Sequence, residues 1–179
     1  MRALNPLAPI ATALAVLAAA AMSTGLIAGL TAVKAIGWVA FLATIAAFAV
    51  WLRRARKNFD SLPGPDPQLA ERSWLPMGAA GILNGLVADV VAGSVATDIE
   101  AQRRPRMLVA VWTVISAVAA FMTIRLAIPG PHDAGAREVT AALLAVSAGG
   151  FVALVFLTTA AQVRRFKPAA LPHPAADSV

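Results

Sequence analysis

From Leu7 to Val50 this chain carries one charged residue, Lys34, and the apolar run then stops at Trp51-Leu52-Arg53-Arg54-Ala55-Arg56-Lys57-Asn58, where four cations fall within five residues. A stretch that long with so little charge is matched to hydrocarbon rather than to water. A collar of Arg and Lys behind it marks the cytoplasmic leaflet by the positive-inside rule, and Trp51 stands where indole rings concentrate, at headgroup depth. The junction is a membrane boundary, and the topology of the remaining chain is read from it.

Composition points the same way. Of 179 residues, 59% are hydrophobic and 13% charged, with a mean hydropathy of +0.75, more apolar surface than a soluble domain of this size can hide. The net charge of +6 comes mostly from basic groups beside apolar segments. Anionic lipid headgroups are therefore the expected partner, each cation near the surface contributing on the order of 1 kcal/mol. Nucleic-acid binding is not expected, because the basic residues are neither interleaved with aromatics nor set in a recognisable module. The absence of cysteine removes disulfides, thiolate ligands and a thiol nucleophile.

Pro6 and Pro9 suit the first turn of a helix, so a first span is expected over about 7–33. Ala21, Gly25 and Gly29 form a small-xxx-small series that lets another backbone approach closely, a pattern also common by chance in Ala/Gly-rich helices. A cleaved signal peptide competes with this reading, from Arg2, a short apolar core and the small residues around Ala18 to Ser23; the apolar run continues past them, which favours a span. Lys34 and Gly37 predict a tight turn, and a second span returns over about 36–53. Trp38 and Trp51, roughly 20 Å apart at the helical rise, suit its two interfaces. If this helix continues past the membrane, Trp51, Arg54 and Asn58 share one face at i, i+3 and i+7.

Residues 60–73, with Pro63, Gly64, Pro65 and Pro67, read as a cytoplasmic loop. The segment 76–97 is apolar but punctuated by Gly78, Gly81, Asn84, Gly85, Asp89, Gly93 and Ser94. As a full span it places Asp89 in hydrocarbon, at a cost of at least about 2.5 kcal/mol on insertion scales. Basic residues flank it on both sides, Arg53 to Lys57 before and Arg103, Arg104 and Arg106 after. Both ends thus want the cytoplasm, and the segment is expected to be embedded without crossing. Spans over about 107–128 and 139–161 follow, separated by Pro129-Gly130-Pro131 and closed by Gln162, Arg164, Arg165 and Lys167. The expected fold class is all-α: an integral membrane four-helix bundle with an extra interfacial or re-entrant helical segment between spans 2 and 3. It forms one membrane domain over 1–167 in the cell membrane, with both termini cytoplasmic and a disordered tail over 168–179.

Chemistry is sparse. The sequence contains no His-rich metal spacing, carboxylate pair on one helical face, nucleophile elbow or phosphate-cradling glycine loop. His132 and His173 fall on opposite sides of the membrane in this topology. No catalytic residue, cofactor or metal is expected. Asp89, the one carboxylate in an apolar setting, reads as a structural ion pair with Arg54 or Arg104; the alternative is a small transporter or proton-coupled protein using that acid. Thr44, Ser116 and Ser147 near span centres are expected to bond their own helix backbone. The expected function is non-catalytic. A basic and aromatic cytoplasmic rim of Trp51, Arg54, Asn58, Trp74, Asn84, Trp112, Gln162 and Arg165 would face anionic lipid, a membrane-protein partner or a second copy.

The spacing of Trp51, Arg54 and Asn58, the pair Trp74 and Pro76, Asn84, Trp112, and Gln162 followed by Arg164 or Arg165 together resemble an uncharacterised family of bacterial four-helix membrane proteins, common in actinobacteria and classed as a domain of unknown function. The resemblance covers nearly the whole chain. Its closest matches are the first spacing and the final Gln/Arg. The family pattern has a longer Trp-to-Pro interval and a proline after the Asn, where this chain has Ala88. The resemblance implies the architecture and carries no reaction with it.

Overall fold

The computed structural model describes residues 7–60, 79–96, 99–128 and 134–166, and every element among them is a helix. These are α1 (Leu7–Ile27), α2 (Thr31–Asp60), α3 (Ala79–Val95), α4 (Ile99–Ala127) and α5 (Ala134–Phe166). Four of them, α1, α2, α4 and α5, are long and apolar enough to cross a membrane, so the chain is an all-α, multi-pass membrane bundle. The 21 residues of α1 span about 32 Å at the helical rise, close to a hydrocarbon core of about 30 Å. At 30, 29 and 33 residues, α2, α4 and α5 overshoot it, and each carries its basic cluster on the overhang. The 17 residues of α3 reach only about 25 Å, which makes it the extra, shorter helix between the second and third spanning ones.

The first turn falls earlier than the sequence predicts. Lys34 and Gly37 lie inside α2, and the reversal is made at Ala28-Gly29-Leu30, with Gly29 at φ 70°. That left-handed backbone is accessible to glycine without a Cβ clash, so Gly29 serves the turn rather than a helix contact. So short a connection forces α1 and α2 antiparallel. A Cβ on Gly25 would sit 2.6 Å from Cγ of Lys34, and one on Gly37 would sit 2.7 Å from Cγ of Met22. The glycines thus set the closest approach of the hairpin from both sides.

The buried stripe of α1 is Ala8, Ala11, Ala15, Ala18, Met22 and Gly25, at helical spacing, while Ile10, Val16, Leu17 and Ile27 face outward. Small residues inside and large apolar ones outside are what a bilayer selects, because lipid tails solvate leucine as well as a protein core does and close backbone packing supplies the attraction. This stripe replaces the predicted series through Ala21 and Gly29.

The helix α5 is central, packing against α1, α2, α3 and α4, whereas α2 and α4 do not pack along each other. The bundle is therefore open on one side. Near the basic helix ends α3 fills that opening, its Val87, Val90 and Val91 joining Trp51, Leu52, Val109, Leu154 and Val155 in one apolar cluster. Pro105 lies inside α4, beyond its first turn, where it removes the backbone bond to the carbonyl of Ala101. The 60–73 loop beyond Asp60, His132, His173 and the tail over 168–179 lie outside the described residues.

Candidate functional site

At the basic end α2 turns Trp51, Leu52, Ala55 and Asn58 inward, all buried. The shared face read from the sequence exists, but it packs against the protein instead of presenting a rim. Trp51 is 1% exposed; its indole N–H donates to Thr159 Oγ1 at 3.3 Å, and its ring stacks on Phe48 with centroids 5.6 Å apart. Gln162, fully buried, donates through Nε2 to the Ala55 carbonyl at 3.0 Å and to Ser94 Oγ at 2.9 Å. A carbonyl only accepts, so the Ala55 contact fixes which way the amide points, and Oε1 is left without a hydrogen-bond partner among the described residues.

Arg165 Nη1 donates to the Gly93 carbonyl at 2.8 Å, and Gln102 Nε2 donates to the Ala96 carbonyl at 3.1 Å. Both carbonyls belong to the C-terminal end of α3, where a helix runs out of its own donors and a cation complements the dipole. Two successive turns of α5 thus hold the last turn of α3, and the start of α4 closes it.

Asp89 pairs with Arg106 through Oδ1 and Nη2 at 3.0 Å, with the side chains 21% and 42% exposed. The predicted partners, Arg54 and Arg104, are not the ones that meet it. Asp89 and Arg106 stand at similar distances from the 96–98 connection, so an antiparallel α3–α4 hairpin brings them together. Arg54 is half-buried, whereas Arg53, Lys57, Arg103, Arg104 and Arg164 are exposed. Among the described residues no three of His, Cys, Asp and Glu gather to hold a metal ion.

The other predicted rim residues part company. Trp112 lies well inside α4, its Nε1 donating to the Ser147 carbonyl of α5 at 2.9 Å, and its ring covers Gly150, where a Cβ would sit 2.6 Å from Cδ1. It bolts α4 to α5 some way from the basic end. Trp74 lies outside the described residues, and of Asn84 only the backbone, in α3, is described. Sequence reasoning missed Ser94, Thr159 and Gly150, small or hydroxylic residues whose partners lie on other helices. It also read Ser116 and Ser147 as bonding their own helices, but their hydroxyls meet across α4 and α5 at 2.7 Å.

Beyond α3 the opening between α2 and α4 remains as a lateral groove with a cavity of about 330 Å³. Its floor is Ala15, Ala18 and Ala19 of α1; Trp38, Phe41, Ile45 and Phe48 form one wall and Trp112, Ala119, Ala120 and Ile124 the other. Phe48, Phe151 and Trp112 close it toward the basic end, with centroids 5.1 Å apart for the phenyl pair and 6.1 Å for Phe151 and Trp112. Its hydroxyls are already engaged: Thr44 with the Ala40 carbonyl at 2.8 Å, Thr123 with the Ala119 carbonyl at 2.7 Å, and Ser116 with Ser147. Apart from the Trp38 indole, what the groove offers an occupant is mostly hydrocarbon.

Among the described residues two features stand out: a collar of exposed cations around a locked polar junction, and an apolar lateral groove. No protein-family model, curated protein or solved structure matches this chain.

Proposed function

We propose that this is a non-catalytic membrane protein whose basic end lies in the cytoplasmic leaflet of the cell membrane, both termini on that side, and gathers anionic lipid headgroups there. The observation that carries the reading is a division of labour at that end. Trp51, Gln162 and Arg165 are used to lock α2, α3 and α5 together, while Arg53, Lys57, Arg103, Arg104 and Arg164 project unburied from three helices. Cations held at one depth on a rigid support attract an anionic surface additively, about 1 kcal/mol each. Asp89 is engaged with Arg106, which favours a structural part for that acid over a proton-coupled one.

Native mass spectrometry of the full chain, extracted with mixed phosphatidylglycerol and phosphatidylcholine, tests this. The wild type is expected to retain phosphatidylglycerol preferentially, and the variant Arg53→Gln, Lys57→Gln, Arg103→Gln, Arg104→Gln to lose at least about tenfold of that preference, as several contributions of about 1 kcal/mol imply. An unchanged preference, or a stoichiometric protein that co-purifies through these residues, would overturn the lipid reading.

A further inference from the structure

We propose that the groove between α2 and α4 holds one acyl chain of a membrane phospholipid from the leaflet opposite the basic end, with the Lys34 ammonium at the lipid phosphate. This site is separate from the cationic collar, and the assignment does not depend on which leaflet the collar faces.

Shape and lining suit the occupant. From Trp38 to Phe48 the groove wall runs about 15 Å at the helical rise, within a hydrocarbon core of about 30 Å. The cavity of about 330 Å³ along it is floored by Ala15, Ala18 and Ala19, small residues that leave room for a hydrocarbon chain.

Chemistry agrees with shape. With its hydroxyl protons bonded internally, the wall is apolar over most of its surface apart from the Trp38 indole, and an alkyl chain asks for no polar partner. The closed end, at Phe48, Phe151 and Trp112, stops the groove where a chain entering from the other face ends near the bilayer centre. Beside its open end a second, smaller cavity shares Met22, Trp38 and Thr123 with it and is lined by Lys34, whose stem lies over Gly25 and whose ammonium has no anionic partner among the described residues. A half-buried lysine at a helix end places its charge at headgroup level, where a phosphate stands.

The protein also shows what the opening is for in its other half. Near the basic end the same gap between α2 and α4 is filled by α3, whose 17 residues fall short of the full hydrocarbon depth at about 25 Å. The lipid chain takes, in one leaflet, the place that α3 takes in the other.

The test uses the full chain in vesicles of phosphatidylcholine and phosphatidylglycerol with a trace of phosphatidylglycerol carrying a diazirine midway along one chain, irradiated and mapped by peptide mass spectrometry. Adducts are expected to concentrate on Phe41, Ile45 and Ala120, several-fold over outward-facing Leu42 and Val114. Ala120→Phe, which fills the slot, should abolish them while leaving the outward adducts. Lys34→Gln, which alters no packing in the slot, should lower them several-fold and guards against misfolding of the filled variant. Adducts spread evenly over groove and outer faces, groove adducts that survive Ala120→Phe, or a groove shielded from lipid by a cross-linkable second copy would each overturn the proposal.

Discussion

Gln162 occupies a position where only one amide orientation works. Its Nε2 serves the Ala55 carbonyl and Ser94 Oγ, and its Oε1 is buried without a donor among the described residues. Each hydrogen bond contributes about 1 kcal/mol net, and a buried acceptor left unpaired costs about 1–3 kcal/mol. Gln162→Met gives up the bonds but also removes the unpaired oxygen, so its effect on stability in detergent is expected to stay within about 1 kcal/mol. Gln162→Glu sets a carboxylate against the Ala55 carbonyl in a fully buried site and should cost several kcal/mol. Thermal unfolding of the two variants checks the order; a glutamate as well tolerated as the methionine would mean that water reaches this junction. Position 162 was legible in the sequence as a polar residue at a span end. Its inward direction was not, because the acceptors that fix it belong to α2 and α3.

At the scale of elements, the α1–α2 hairpin depends on close approach and the other helices on bolts. A methyl group on Gly37 would meet the Met22 backbone nitrogen at 2.9 Å as well as its side chain, so the helices must separate. Gly37→Ala is expected to destabilise by about 1–3 kcal/mol, the usual range for overpacking. A methyl group on Gly149 would meet nothing within 4 Å, and Gly149→Ala in the middle of α5 should be neutral or stabilising by up to about 1 kcal/mol, since alanine loses less backbone freedom in a helix. Melting temperatures of this pair separate a packing role from glycine content as such. The ion pair of Asp89 and Arg106, half-exposed, contributes at most about 1 kcal/mol; α3 is held chiefly by its valines and by Gln162 and Arg165. The sequence set α3 apart from the spans as an extra, non-crossing segment because charge flanked it on both sides. It misplaced the first turn, since Lys34 looks like a break to hydropathy although a lysine stem packs well over glycine.

For the whole molecule, the proposed orientation predicts that reporter fusions after residues 65 and 98 signal from the cytoplasm and a fusion after residue 131 from the exterior. An exterior signal at 98 would mean that α3 crosses, and it would divide the basic collars between two faces. What the sequence determined alone is the number of long apolar helices, their approximate limits and the clustering of cations at their ends. Those follow from transfer free energies that add residue by residue and need no knowledge of neighbours. Which way Trp51, Asn58 and Gln162 turn, and that an apolar groove lies between α2 and α4, were decided only by the tertiary structure. Trp51 finds its acceptor 108 residues away at Thr159, and a gap between two helices exists only once a third, α5, has set how far apart they stand.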